Sequence, residues 1–545
     1  MVFFVLILIL KYICDNIILK GSVFHSMMKG AIMYSKSYCA VIKGIDGYLI
    51  QVEADISEGL PCFSLVGFLS GEVKEARERV LIALKNSGFR FPPKKITINL
   101  SPADIRKDGT GYDLSIAVSV LSAFGYIPSC NLSDFLFIGE LSLDGSIKPV
   151  DGTLPMVYTA YEHGIRYCMV PEDSRLEAEV VEDIEVIGVT TLKEAVEILQ
   201  SESYKEKIIK KDKEFISVNE NEVYDFSDVS GQPVVRRAVE VAVAGMHNML
   251  MVGPPGTGKT MIAKRIPGIM PDLDFDERME ISKIYSVAGM LSPEKPYISC
   301  RPFRAPHHTI TQTALAGGGR YPKPGEVSLA SGGVLFLDEL PEFQRQTIEV
   351  LRQPLEDGYV NVCRLDGNYR FPAKCQVIAA MNPCRCGFFP DKKKCTCTPM
   401  QIKSYLGKIS RPFLDRIDIC AETIPLKFDE VMDEIKKENE CSEKIKERVK
   451  RAQDVQRNRY KDEKFSFNSQ LSPRNITKYC ILSDEAEKYL QNIFDDYEFS
   501  ARAYHKILKV GRTIADLEGS DMIEKNHISE AVCYRTIDNK YWGNM

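Results

Sequence analysis

The chain has 545 residues, 44% of them hydrophobic and 27% charged, with a formal net charge of −5. That balance describes a globular protein of roughly three or four domains. It excludes a chain-wide basic coat for nucleic acid, so any such contact falls to local patches. The 16 cysteines are too few for a disulfide scaffold at this length, and a reducing cytosol is the expected compartment.

The opening run MVFFVLILIL is apolar, but Lys11, Asp15 and Lys20 interrupt it before it reaches the ~20 residues a membrane span needs. No basic segment precedes it and no clear small-residue cleavage site follows. We expect residues 1–32 to be a dispensable extension or the product of an upstream start, with the functional chain opening near Met33 and no stable membrane partner.

Residues 33–200 alternate strand-like runs (Gly47–Ala54, Lys95–Leu100, Phe135–Leu143, Tyr167–Pro171) with helix-like ones (Val73–Ser87, Asp113–Phe124, Leu192–Leu199), which predicts an α/β domain. Asp144-Gly145 reads as a hairpin turn. The stretch SESYKEKIIKKDKEF then opens a charged linker, residues 201–223. A second α/β block follows over 224–430, and charged helical periodicity takes over from 431 to 545.

The strongest chemistry sits early in the second block. A short apolar strand, Met249–Val252, runs into Gly253-Pro254-Pro255-Gly256-Thr257-Gly258-Lys259-Thr260 and then an amphipathic helix. The glycines let backbone N–H groups turn inward around phosphate oxygens, and the helix N-terminus adds its positive dipole end. Lys259 would reach the β- and γ-phosphates of ATP, and the Thr260 hydroxyl would ligate Mg²⁺.

Hydrolysis needs a second, acidic element. GGVLFLDEL supplies it: Val334–Leu337 is a buried strand from whose end Asp338 and Glu339 emerge. Asp338 would hold Mg²⁺ through water, and Glu339 would polarise the attacking water. A further strand-like run, CQVIAAMN, ends in Asn382, where a polar side chain can bond the γ-phosphate or the lytic water. Next come Cys384-x-Cys386, eight residues, and Cys395-x-Cys397. Thiolates at this spacing close a tetrahedral Zn²⁺ site, and such a closed site braces the fold without doing catalysis. Reduced free thiols and a redox switch are the alternatives.

From about Met33 onward, the motifs KGIDGYLIQVEADISEGLPCFSLVG, GPPGTGKTMIAKRIPGI, RPFRAPHHT, PGEVSLASGGVLFLDELPEF, LRQPLEDG, AAMNPC and SARAYHKILKVGRTIADL resemble the YifB/ComM group of Mg-chelatase-like AAA+ ATPases. The resemblance implies a homo-hexameric ring, a presensor hairpin near Gly358–Pro372 and a C-terminal helical lid. It makes Asn382 sensor 1, Arg416 in SRPFLDRID the arginine finger and Arg502 in FSARAYHKIL sensor 2. His307 and His308 of RPFRAPHHT receive no physical account from the sequence.

The first domain resembles the Lon protease domain, a ribosomal S5 domain 2-like α/β fold, without its dyad. KDGTGYDLSIAV puts Gly111 where the Lon-type serine would stand, and KPVDGTLPM puts Leu154 where the lysine would stand. Ser115 lies nearby on a predicted helix with no lysine partner. With neither nucleophile nor base, acyl transfer has no chemistry to use, so a scaffold or DNA-contacting role is expected.

Three kinds of work compete for the hydrolysis: translocation on single-stranded or branched DNA, as ComM-type members do; metal insertion, as in chelatases; and protein remodelling. The chain has no D-x-S-x-S motif of the kind chelatase partners carry, and its fused Lon-like domain is similar to that of the recombination ATPase RadA, which favours DNA. Arg364, Arg370 and Lys392–Lys394 are the candidate DNA contacts, with solvated surface charge as the alternative.

Overall fold

The computed structural model describes residues 33–201, 204, 224–364, 367–425, 439–497 and 499–542. The apolar extension 1–32 and nearly all of the charged linker lie outside the described residues. Two compact units divide the chain: Met1–Phe215 with Tyr285–Tyr297, and Ile216–Ile284 with Ile298–Met545.

The first unit is built on a mixed seven-stranded sheet. Its strands are β1 (Tyr34–Lys43), β2 (Asp46–Ser57), β3 (Cys62–Val66), β4 (Lys95–Ser101), β5 (Phe135–Phe137), β6 (Tyr167–Pro171) and β7 (Glu185–Val189), in the order β3-β4-β2-β1-β5-β6-β7. Strand β2 alternates as a half-buried strand must, with Ile50, Val52, Ala54 and Ile56 inward. Helix α1 (Gly71–Asn86) is capped by Ser70, which accepts from the Val73 amide, and buries Val73, Ala76, Val80, Ala83 and Leu84. Helices α2 (Asp113–Ala123), α3 (Thr153–Glu162) and α4 (Leu192–Ser201) complete the unit.

Strand β1 is absent from the sequence-predicted elements for a physical reason. Its inward positions include Ser35 and Ser37, which break the apolar alternation yet are buried. Both bond to α2: Ser35 Oγ donates to the Ser119 carbonyl at 2.6 Å, and Ser37 Oγ lies 2.8 Å from Ser115 Oγ. The run Phe135–Leu143 is one predicted strand but two in the structure. At the break Gly139 has φ +155°, and a Cβ there would stand 2.7 Å from the Ile147 side chain, so the position calls for glycine. Beyond it Glu140–Leu141 pairs antiparallel with Ile147–Lys148 around Asp144-Gly145.

At the protease-like positions, Leu154 is buried in α3 and Gly111 faces Val150. Ser115 is buried among Ser37 and Ser119. Asp113 on the same helix pairs with Arg79 at 2.8 Å. Burial pushes its carboxyl up to about 6 while the Arg79 guanidinium pulls the other way.

The second unit carries a five-stranded sheet, parallel throughout. Its strands are β8 (Met249–Val252), β9 (Phe303–Arg304), β10 (Val334–Leu337), β13 (Gln376–Met381) and β14 (Ile419–Glu422), in the order β9-β10-β13-β8-β14. Strands β8, β10 and β13 are buried along their whole length, as strands covered on both faces must be. Between β10 and β13 an antiparallel hairpin projects, β11 (Tyr359–Arg364) with β12 (Gly367–Pro372), in the place expected for the presensor hairpin.

Helix α5 (Pro233–Gly245) precedes β8, and α6 (Lys259–Ile269) follows it. A short helix, α7 (Pro399–Leu406), follows the cysteine segment. The C-terminal helices include α8 (Ser442–Arg459), α9 (Ala501–Glu518) and α10 (Lys525–Trp542). They share one apolar cluster with the sheet: Val243, Met251, Ile266, Ile378, Val449, Ile507 and Ile514 all belong to it. A buried polar junction pins the two parts together. His247 Nδ1 lies 3.1 Å from Asp418 Oδ2 and its Nε2 lies 2.8 Å from Thr513 Oγ1.

Candidate nucleotide-hydrolysis site

Because the five strands run parallel, their C-terminal ends meet at one edge, and the loops leaving that edge carry the motif residues. Strand β8 delivers residues 253–258 directly into the first turn of α6, for which Gly258 is the N-cap. Gly256 and Gly258 adopt φ of +76° and +83°, and a Cβ at either would meet nothing within 4 Å. The loop is therefore a cradle with room inside it, in a backbone conformation that side chains disfavour. That fits a phosphate group.

Lys259 lies across this loop. Its ammonium donates to the Gly253 and Pro254 carbonyls, both at 2.8 Å, and to Asn382 Oδ1 at 3.3 Å. Burial lowers the affinity of this ammonium for its proton, and the Asp338 charge opposes that. Thr260 Oγ1 donates to Asp338 Oδ2 at 2.6 Å. Three motifs from β8, β10 and β13 thus converge through Lys259–Asn382 and Thr260–Asp338, with hydroxyl and carboxylate oxygens of the kind Mg²⁺ takes.

Glu339 departs from β10 with φ +50°, a left-handed conformation that costs a non-glycine residue roughly 1–2 kcal/mol. The turn throws the chain into Leu340–Glu342, where the Glu342 amide donates to the Glu339 carbonyl at 2.8 Å. Its side chain is exposed, and His308 Nδ1 lies 3.5 Å from one carboxylate oxygen. His307 stacks beside it, ring centroids 4.0 Å apart, and its Nδ1 lies 2.9 Å from Thr309 Oγ1. The histidines left without an account by the sequence stand beside the candidate base.

Arg416 and Arg502 do not join this cluster. Arg416 bonds to the Arg352 carbonyl at 3.1 Å, to the Pro412 carbonyl and to Glu356. Arg502 is largely exposed and pairs with Asp415, the neighbour of Arg416 in sequence. Arg502 is therefore tied to the residue beside Arg416, and the partners of both arginines lie outside the phosphate loop. The hairpin arginines also have partners: Arg364 Nε donates to the Gly319 carbonyl at 3.0 Å, and the Arg370 guanidinium stacks on Tyr359 at 3.6 Å. Lys392–Lys394 are exposed.

Two contacts escaped the sequence. Thr423, just past β14, shares a 2.7 Å hydroxyl–hydroxyl bond with Thr257 and so steadies the loop from a strand remote in sequence. Only its position after a buried strand marked it. Gly387, in the cysteine turn, packs on Pro255.

Cys384, Cys386, Cys395 and Cys397 gather their sulfurs within 4.8 Å of one another. The 3.3, 3.5 and 3.8 Å Sγ–Sγ separations exceed a disulfide bond and suit a metal with ~2.3 Å bonds to sulfur, whose tetrahedral edges are about 3.8 Å. Burial would raise the Cys386 thiol, yet the Phe388 and Thr396 backbone groups bring it down to about 6, while bonds to Cys386 and Cys384 push the Cys395 and Cys397 thiols up. This set can hold a metal.

A parallel sheet carrying a phosphate loop, an acidic pair and a polar strand end defines a P-loop protein of the AAA+ fold, with an α/β N-terminal unit and a helical C-terminal part. Family comparisons agree along the chain. Residues 225–431 match the family described as magnesium chelatase, subunit ChlI; residues 52–174 match subunit ChlI of Mg-chelatase; residues 439–535 match its C-terminal region. YifB of Salmonella typhimurium is 40% identical over 495 residues, 91% of this chain and 96% of that protein. Competence protein ComM of Haemophilus influenzae is 38% identical over 515 residues, 94% of this chain and 98% of that protein. Lon protease 2 of Bacillus subtilis is 31% identical over 125 residues, 23% of this chain and 22% of that protein. The chain belongs to the YifB/ComM family of Mg-chelatase-like AAA+ ATPases. Among the described residues, no helix is long and apolar enough to cross a membrane.

Proposed function

We propose that this chain hydrolyses ATP as one subunit of a homo-hexameric ring and uses the energy to move along single-stranded or branched DNA in the cytoplasm. The observation that carries the hydrolytic part is the convergence of Lys259, Asn382, Thr260 and Asp338 at one sheet edge. Residues 253–260 bind the phosphates, and Thr260 and Asp338 hold Mg²⁺, which when bound offsets charge on the phosphate oxygens. Glu339 accepts the proton of the attacking water, Asn382 orients that water or the γ-phosphate, and Arg416 and Arg502 serve a nucleotide at a subunit boundary. The pairing of Arg502 beside Arg416, away from the chain's own loop, supports that last assignment.

In the same reading 33–200 is a Lon-like scaffold without protease chemistry, 224–430 the ATPase core and 431–545 the lid. Cys384, Cys386, Cys395 and Cys397 hold a structural Zn²⁺. DNA is supported by the likeness to a competence protein, by the projecting hairpin with Arg364 and Arg370, and by exposed Lys392–Lys394. The test is the ATPase rate of the purified protein with and without single-stranded, duplex and forked DNA. Stimulation by one of them supports the reading. A rate indifferent to all three overturns it in favour of protein remodelling or a chelatase-like role.

A further inference from the structure

The four-cysteine segment does more than close on itself, because it touches the phosphate loop on both sides of its first cysteine pair. Strand β13 ends at Met381, and the next residue, Asn382, accepts from Lys259 at 3.3 Å. Five residues on, Gly387 is buried with φ +87°, and a Cβ there would stand 2.6 Å from Pro255 Cδ. Pro255 immediately precedes Gly256 of the cradle. Cys384 and Cys386 lie between these two contacts. The Gly387 amide donates to the Cys384 carbonyl at 3.0 Å, and the Phe389 amide reaches Cys384 Sγ at 3.4 Å. On its other side the segment meets the C-terminal helix, where the Phe389 and Tyr541 rings stand 6.0 Å apart. Tyr541 in turn donates to Glu422 at the end of β14 at 2.6 Å.

We infer that zinc held by Cys384, Cys386, Cys395 and Cys397 sets the phosphate loop, so that metal occupancy controls nucleotide affinity. The inference rests on the zinc reading above and adds the coupling to it. The physics is preorganisation. Four metal–sulfur bonds fix the 384–397 turn at both ends. Asn382 and Gly387, flanking the first two ligands, then hold Lys259 and Pro255 in place before nucleotide arrives. Without the metal, four thiols within 4.8 Å of one another lose the bonds that keep them together. The two contacts that ride on them loosen, and the loop must be ordered at the expense of binding. Glycine at 387 is what allows the proline ring so close; a side chain there meets Pro255 and strains a left-handed backbone beside Cys386.

The experiment separates the metal from the coupling. Elemental analysis of the full chain is expected to find about one zinc per chain, lost in the Cys384→Ser/Cys397→Ser variant. Titration with a fluorescent ATP analogue is expected to show affinity about tenfold weaker in that variant, and equally weak in Gly387→Ala, whose zinc content is measured beside it. Should the double variant fail to fold by circular dichroism, wild-type protein stripped with a zinc chelator and refilled with zinc replaces it: affinity falls, then returns. Wild-type protein with no zinc overturns the metal reading. Zinc present, with unchanged affinity in both Gly387→Ala and the stripped protein, overturns the coupling and leaves the metal reading standing.

Discussion

His308 Nδ1 stands 3.5 Å from the carboxylate of Glu339, on a segment that leaves the neighbouring strand β9 of the same sheet. An imidazole this close can orient the carboxylate, and orientation bears on its taking a proton from water. Glu339→Gln is expected to bind ATP but lose hydrolysis by ~10² or more, trapping the assembled ring. His308→Ala is expected to lower turnover less than this while leaving nucleotide affinity intact. Steady-state rates beside nucleotide titrations check both. Wild-type turnover in Glu339→Gln would remove Glu339 from the role of base.

Lys259 is bound to two carbonyls of its own loop and to Asn382, so its ammonium is already placed over the cradle. Lys259→Ala should weaken ATP binding by ~10-fold or more, the loss of a charge-assisted bond worth about 1.5–3 kcal/mol. Thr260→Val should instead raise the Mg²⁺ concentration needed for half-maximal turnover, since it removes the hydroxyl that meets Asp338. An unchanged Mg²⁺ requirement counts against that ligand.

An arginine finger stabilises charge that builds on a neighbour's γ-phosphate and is worth ~10³ or more in rate. Arg416→Ala should abolish hydrolysis with ATP affinity nearly unchanged, because binding uses the subunit's own loop. Mixing Arg416→Ala with Lys259→Ala subunits should restore part of the activity, since an intact loop can then meet an intact finger. Co-assembled rings with no recovery would show that Arg416 acts within its own chain or only structurally.

The His247–Asp418–Thr513 junction gives a dependence on pH. Burial alone would raise Asp418, but the bond to His247, its charge and nearby Lys506 hold the carboxyl down to about 2. A depressed carboxyl contributes stability above its unfolded value of about 3.9 and loses it as pH falls toward 2. Asp418→Asn should therefore be less stable than wild type at pH 7, by ~1–3 kcal/mol, with the gap closing in acid. Urea unfolding at pH 7 and at pH 3 measures it. A gap that does not narrow assigns the loss to packing instead.

The phosphate loop, the acidic pair and Asn382 were legible in the sequence because each ends a buried apolar run, and parallel strands put such ends together. Cys384–Cys397 were legible by a different signal, the paired C-x-C spacing. What stayed hidden involved partners far apart in sequence. Thr423 meets Thr257 across a gap of 166 positions, and His308 meets Glu339 only because β9 and β10 are neighbours. Strand β1 hid behind Ser35 and Ser37, polar side chains that are satisfied inside by helix α2. Hydrogen bonding, unlike apolar spacing, leaves no period to read.

The common direction of β8, β9, β10, β13 and β14 also divides the tolerance of this unit to insertion. Connections that leave the strand tails hold Lys259, Thr260, Asp338, Glu339 and Asn382, and lengthening one of them would detune the site. Connections that enter the strand heads set the register of the sheet: Asn248 before β8 braces Val377 at 2.9 Å and the Arg416 carbonyl at 3.1 Å, and of the candidate groups this side carries Arg416. Reporter peptides or fluorophores for following self-association therefore belong on head-side connections other than the one that carries Arg416.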